Sequence, residues 1–168
     1  YLELVFGNCK RVSRLGRLLI YVGEKRQNKS SHKPSPTIEA FELTDIKGGP
    51  YQVMTRPGVF SRDGLDPGTR LLLEHVEVKS TDRVLDWGCG WGALGMVAAR
   101  LATDGQVLMI DSSVRAIACV NENLKSNQLA NAKAVVGDAR TYPFQAPFDL
   151  VVSNPPFHEG NSAAHPLI

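Results

Sequence analysis

An open α/β fold, built on a doubly wound and mostly parallel sheet, is what this sequence predicts. Three observations carry the prediction. From Arg83 onward, short runs of β-forming residues alternate with stretches of helical periodicity. The turns joining them are short, which favours parallel strand–helix–strand units. The distinctive residues, glycines and acids above all, fall just after the strands, where open α/β sheets bind their ligands.

The elements follow in chain order. Leu18-Leu19-Ile20-Tyr21-Val22, bounded by Gly16 and Gly23, reads as a buried strand. Gln27 to Pro36 is polar, carries two prolines and has no periodicity, so it reads as a linker. Tyr51 to Thr55 alternates weakly and is expected to be a strand. Asp66-Pro67 is a helix entry, with Asp as N-cap and Pro at the first helical position, and the helix should run to His75. Val84-Leu85-Asp86 is a strand, Ala93 to Leu101 a helix, and Val107 to Ile110 a second strand. Ser112 or Ser113 caps a helix whose apolar face is expected to be Val114, Ile117, Ala118 and Leu124. Ala134 to Val136 and Phe148 to Val152 complete four strands.

The 168 residues, 43% hydrophobic and 21% charged with a formal net charge of +2, amount to about one domain plus additional chain at roughly 150 residues per domain. That composition excludes a disordered chain, a collagen-like fibre and a disulfide-stapled miniprotein. No apolar run approaches the roughly 20 residues that span a bilayer, so no membrane segment is expected. Tyr1 in place of an initiating Met reads as a cut inside a longer chain. Cys9, Cys89 and Cys119 are widely spaced, without a CxxC pair or a nearby histidine. They read as reduced thiols of a cytoplasmic protein, with no metal site. Charge is uneven. Lys10, Arg11, Arg14, Arg17, Lys25, Arg26, Lys29 and Lys33 stand against Glu24 alone, whereas from Thr81 onward six basic residues face eight acidic ones. A basic arm ahead of a near-neutral domain suits contact with nucleic-acid phosphates, or equally a solvated linker.

The first chemical constellation is Asp86-Trp87-Gly88-Cys89-Gly90-Trp91-Gly92, after a strand and before a helix. Alternate glycines let the backbone turn sharply and lie against a ligand that a β-carbon would repel. Gly88, Gly90 and Ala93 also satisfy GxGxxA, so spacing alone admits a dinucleotide. Asp86 argues otherwise, because an acid ahead of the loop repels a pyrophosphate but suits an ammonium group. Asp111, about 20 residues past the loop, is placed to accept both hydroxyls of a ribose, or else to cap the next helix. Within Gly137-Asp138-Ala139, Asp138 offers an acceptor for an adenine amino group. Partners for an ammonium, a ribose and an adenine at three successive strand ends outline S-adenosyl-L-methionine. Trp87 and Trp91 are expected to pack around the loop.

The most specific signal is Ser153-Asn154-Pro155-Pro156-Phe157. Two prolines fix the backbone and remove two N–H donors, leaving carbonyls without a competing donor beside them. Asn154 adds a side-chain acceptor and Phe157 an aromatic face. Acceptors beside a stacking surface suit a planar NH2 group, whose lone pair is delocalised. Accepting its hydrogens draws the nitrogen toward tetrahedral geometry and frees that pair for in-line attack on a sulfonium methyl, a step governed by positioning and electrostatics. His158 and Glu159 follow and stand ready as a proton relay or as a solvated pair. His32, His75 and His165 have no partner in sequence.

DWGCGWG, the Asp111 and Asp138 positions, and SNPPFHEG resemble the small-domain class of S-adenosylmethionine-dependent methyltransferases, which have a Rossmann-like class I fold. Arg56-Pro57-Gly58-Val59-Phe60-Ser61-Arg62-Asp63-Gly64-Leu65-Asp66 is similar to the segment ahead of the catalytic fold in bacterial rRNA guanine-N2 methyltransferases of the RsmC/RlmG type. The resemblance covers roughly Gly48 to Gly160. It implies methyl transfer to the exocyclic N2 of a guanine in ribosomal RNA, with the RNA or a ribosomal subunit as partner and the base unstacked into the pocket. It further implies that Asn154, Pro155, Pro156 and Phe157 hold the guanine amine, while Asp86, Gly88, Gly90, Asp111, Asp138 and Ala139 line the cofactor pocket. Phe60 to Asp66 is expected to help close it.

By the same resemblance, residues 1–26 are the tail of a preceding degenerate methyltransferase-like domain and 27–47 a linker. Residues 48–168 are then a methyltransferase domain whose sheet stops after its fourth strand. Two alternatives stay open from sequence. One keeps the chemistry on adenine N6 or a protein glutamine amide; the other is a non-catalytic RNA-binding or assembly module with a relict pocket.

Overall fold

A computed structural model describes residues 10–15, 18–22 and 39–155. It divides into two compact units, Tyr1–Thr37 and Ile38–Ile168. In the first, β1 (Lys10–Leu15) pairs antiparallel with β2 (Leu18–Val22), Lys10 opposite Val22 and Leu15 opposite Leu18. β2 has the bounds its composition predicts; β1, which carries Lys10, Arg11 and Arg14 of the basic arm, was not expected as a strand.

The second unit opens with a hairpin of β3 (Glu39–Leu43) and β4 (Tyr51–Thr55), Glu39 opposite Thr55 and Leu43 opposite Tyr51. β3 lies inside the stretch taken from sequence as linker. Its two large apolar residues, Phe41 and Leu43, alternate with the exposed Ala40 and Glu42 as a strand with one buried face requires. Next come α1 (Pro67–His75), β5 (Arg83–Trp87), α2 (Ala93–Leu101), β6 (Gln106–Asp111), α3 (Val114–Ser126), β7 (Ala132–Val136) and β8 (Leu150–Val152). The last four strands form one parallel sheet in the order β7-β6-β5-β8. The order reverses between β5 and β8, and there the carboxyl ends of adjacent strands open a crevice.

Both faces of this sheet are covered, which is why its strands read as near-continuous apolar runs. On one face Val84, Val107 and Met109 pack beneath Met96 and Val97 of α2 and Val120 of α3. On the other, Leu85, Leu108 and Ile110 meet Tyr142, Phe144 and Phe148. Phe148 was expected to begin the fourth strand. Instead it stands edge-on to Phe144, centroids 5.3 Å apart, with the Arg83 guanidinium 4.6 Å over its ring. The buried face of α3 also differs from expectation. Val114 is 70% exposed, and the inward residues are Ala116, Ile117, Cys119, Val120, Asn123 and Leu124. A polar residue within that face hid its true direction.

Asn123 explains how the hairpin reaches the sheet. From α3 its side chain accepts the Met54 N–H at 2.6 Å and donates to the Met54 carbonyl at 3.1 Å. One turn later Asn127 does the same for Gln52, at 2.9 and 2.7 Å. Two side-chain amides thus stand in for a neighbouring strand along the free edge of β4. Asn123 also donates to the Trp91 carbonyl at 2.9 Å. Arg56 pairs with Glu122, so the segment leaving β4 is anchored on α3 and passes over the carboxyl ends of the sheet. Among the described residues no helix is long and apolar enough to cross a membrane.

Candidate active site

A cavity of about 600 Å³ opens at the carboxyl ends of β5, β6, β7 and β8, a size that fits a nucleoside-bearing ligand. Asp86, Gly88, Gly90 and Asp111 line one part of it. Asp138, Ala139, Asn154 and Pro155 line another part. Eight residues drawn from four strand ends are therefore brought to one hollow. Pro156 and Phe157 lie outside the described residues, as do His158, Glu159, His32 and His165.

The glycine loop is a backbone construction. Gly88 and Gly90 have φ of 72° and 55°, left-handed values that a β-carbon disfavours. The N–H groups of Gly88 and Cys89 both donate to the Ile110 carbonyl, at 2.8 and 3.1 Å, which tacks the loop to the end of β6. A β-carbon added at Gly88 or Gly90 would meet no protein atom within 4 Å, so both positions border open space. Asp111 ties the loop to the next helix. Its Oδ2 accepts from Gly90 N–H at 2.9 Å and its Oδ1 from Ser113 N–H at 2.8 Å. The cap of α3 itself is Ser113, whose hydroxyl accepts from Ala116 N–H.

Asp86 is 1% exposed, and burial pushes its carboxyl up to about 7. The Gly95 N–H, donating to Oδ2 at 2.8 Å, opposes that shift, and the charge of Asp111 adds to it. Gly95 is required for this approach. A β-carbon there would lie 2.1 Å from Met109 Cε and 2.9 Å from Asp86 Oδ2. Trp91 packs as expected, edge-on to Phe41 with its indole N–H donating to the Ser61 carbonyl.

Asp138 is engaged by Arg140, whose side chain donates to both carboxylate oxygens and whose backbone N–H donates to Oδ1 at 3.0 Å. Those hydrogen bonds hold its carboxyl down at about 2. The acid expected to face an adenine amine therefore shares its acceptors with a neighbouring guanidinium on the cavity wall.

The opposite wall is made by side chains. Ser153 donates from its hydroxyl to the Trp87 carbonyl at 2.8 Å, joining the ends of β8 and β5. Asn154 Nδ2 donates to Asp66 Oδ1 at 3.1 Å, Asp66 Oδ2 at 3.3 Å and Thr69 Oγ1 at 2.9 Å. Asp66 is meanwhile the N-cap of α1, accepting from the N–H groups of Gly68 and Thr69. Burial raises its carboxyl, but hydrogen bonds from Thr69, Asn154 and Gly68 outweigh that and hold it below the ordinary carboxylate value. The expected helix entry is thus also part of the site. Thr69 left no signal in sequence; Asp66 signalled a cap and the end of the segment expected to close the pocket, with no role toward Asn154. Val59, Phe60 and Leu65 line the cavity above, with Phe60 54% exposed.

Comparison with known proteins shows what the chain is similar to. The family model described as methyltransferase small domain matches residues 50–168. The ribosomal RNA small subunit methyltransferase C of Pseudomonas entomophila is 43% identical over 131 residues, which are 76% of this chain and 38% of that protein. The ribosomal RNA large subunit methyltransferase G of Streptomyces avermitilis is 37% identical over 74% of this chain and 34% of its own length. A solved T. thermophilus 16S rRNA N2 methyltransferase (RsmC), in complex with AdoMet and guanosine, superposes with a TM-score of 0.73 at 30% identity, over 95% of this chain and 43% of that one. The chain accordingly spans about two fifths of the length of the proteins it matches.

Proposed function

This chain belongs to the methyltransferase small domain family, and from that premise we propose that the protein containing it transfers a methyl group from S-adenosyl-L-methionine to the exocyclic N2 of a guanine in ribosomal RNA. The observation that carries the proposal is the convergence on one cavity of Asp86, Asp111 and the open glycine loop with Asn154 and Pro155. Likeness to an RsmC with AdoMet and guanosine bound supports both ligands. Ribosomal RNA is the partner, and a cytoplasmic location follows from that substrate. We also propose that residues 1–26 are the tail of a preceding methyltransferase-like domain, followed by a connection, with β3 joining the catalytic unit ahead of residue 48.

The cavity residues fit the cofactor. Gly88 and Gly90 leave room where a β-carbon would intrude. Asp86 offers a buried negative charge to an ammonium group. Asp111, with each oxygen accepting one backbone N–H, keeps lone pairs free for ribose hydroxyls. When bound, the cofactor supplies an electrophilic methyl group on a sulfonium.

The chain's own part is positioning. Asn154 Oδ1 and the Pro155 backbone present acceptors to the guanine amine, which orients its hydrogens away from the nitrogen lone pair. Pro155 and Pro156 contribute no N–H that would compete for those acceptors, and Phe157 supplies the stacking face. No strong base is required, since the amine becomes acidic only as it gains the methyl group.

The direct test uses the full-length protein with S-adenosyl-L-methionine and ribosomal subunits, followed by nucleoside mass spectrometry. N2-methylguanosine is the expected product. Methyl groups found instead on adenine N6 or on a protein glutamine would overturn the assignment.

A further inference from the structure

We propose that Asp66 and Thr69 are positioning residues that fix the Asn154 amide with its carbonyl, not its NH2, turned to the acceptor's amine. The inference rests on the role given to Asn154 above and deepens it. An asparagine side chain has two ends of nearly equal shape and opposite hydrogen-bonding sense, so an unrestrained Asn154 would spend much of its time with the wrong end forward. Only the oxygen can accept from an amine. The NH2 end would repel it.

The surroundings resolve the ambiguity. Asp66 is a carboxylate and has acceptors only, so the end of Asn154 that lies 3.1 and 3.3 Å from its oxygens must be the NH2. The Thr69 hydroxyl, 7% exposed at the residue level, takes the same nitrogen at 2.9 Å. Among the described residues no N–H or O–H donates to Asn154 Oδ1, which leaves that oxygen for a ligand in the cavity its residue lines. Gly68 completes the seat. A β-carbon there would approach Asn154 Oδ1 to 3.2 Å and Nδ2 to 3.4 Å, so the amide lies close over the first turn of α1. The helix is itself held by the same carboxylate, through the N–H groups of Gly68 and Thr69 at 3.0 and 3.3 Å. One acid therefore sets the start of α1 and the direction of an amide 88 residues later in the chain.

The test measures kcat, RNA KM and cofactor Kd in the full-length enzyme. Asp66→Asn retains a good helix cap but offers Asn154 an NH2 as readily as a carbonyl. Thr69→Val keeps volume and removes the hydroxyl; Thr69→Ser keeps the hydroxyl. Asn154→Ala is run beside them. The expected result is a fall in kcat of about tenfold or more for Asp66→Asn and for Thr69→Val, on the scale that small misplacements of a reacting group produce. Cofactor Kd should stay within about twofold, and Thr69→Ser should recover most of the lost rate. Two results overturn the inference: parental kcat in Asp66→Asn and Thr69→Val while Asn154→Ala is inactive, or equal loss in Thr69→Ser and Thr69→Val, which would mark a packing role. Parental turnover in Asn154→Ala is a different failure. It removes the underlying role of Asn154 itself.

Discussion

The two walls of the cavity are built by different means. The wall we propose for the cofactor is held by backbone: N–H groups of Gly88, Cys89, Gly90, Gly95 and Ser113 satisfy Ile110, Asp86 and Asp111 across a single strand–turn–helix unit and its neighbour. The wall we propose for the methyl acceptor is held by side chains. Asn154 from the end of β8 is held by Asp66 and Thr69 from α1, with sequence separations of 88 and 85 residues. A backbone-built wall tolerates loss of one side-chain contact because the loop geometry persists. A side-chain wall has less reserve, since one substitution removes a group on which the geometry directly depends.

The largest expected effect lies on the side-chain wall. Asn154→Ala should lower kcat by about a hundredfold or more, the scale seen when one preorganised polar group is removed from a transition state. Cofactor affinity, measured by calorimetric titration, should be nearly unchanged; an equal loss in both would erase the distinction between the walls. A smaller effect is expected on the backbone wall. Asp111→Asn preserves shape but has one accepting oxygen for the two N–H donors of Gly90 and Ser113. The unpaired donor and the weakened hydroxyl contacts should cost about 1–2 kcal/mol, roughly a tenfold rise in cofactor Kd, with kcat at saturation little affected.

The smallest effect is a dependence on pH. The Asp86 carboxyl stands at about 7 in the folded chain against an ordinary 3.8. Because its folded value is raised, its contribution to stability is full below about pH 4 and is lost as the pH rises through 7. A cationic ligand favours the ionised acid, so cofactor affinity should move the opposite way, rising about fivefold from pH 6 to 8. Urea unfolding and cofactor titration across that range, compared with Asp86→Asn, check both slopes. A flat cofactor profile in the parent would show that Asp86 does not face a positive charge.

Much of the fold was legible. Tyr51–Thr55, the Asp66 cap with Pro67 behind it, and Ala93–Leu101 have the bounds expected from sequence. All four parallel strands were anticipated, because a strand buried on both faces must be apolar and must end where a turn residue allows. The misses share a physical cause. β3 has only Phe41 and Leu43 to show its alternation. The face of α3 was misdirected because it buries Asn123 in order to satisfy the edge of β4. Phe148 left the fourth strand for an aromatic cluster formed with residues four and six positions earlier, Phe144 and Tyr142.

The sequence by itself determined the sheet, the glycine loop, the acids at its rim and the Asn-Pro-Pro element. Each of these is fixed by interactions among near neighbours or by a backbone conformation that few residues adopt. Tertiary structure alone decided that Asp66 and Thr69 take the Asn154 NH2, and that Asn123 of α3 and Asn127 at its C-cap bind the free edge of β4. Those outcomes depend on donors and acceptors meeting across space. A chain reveals such polar groups as an inventory, and only the fold pairs them.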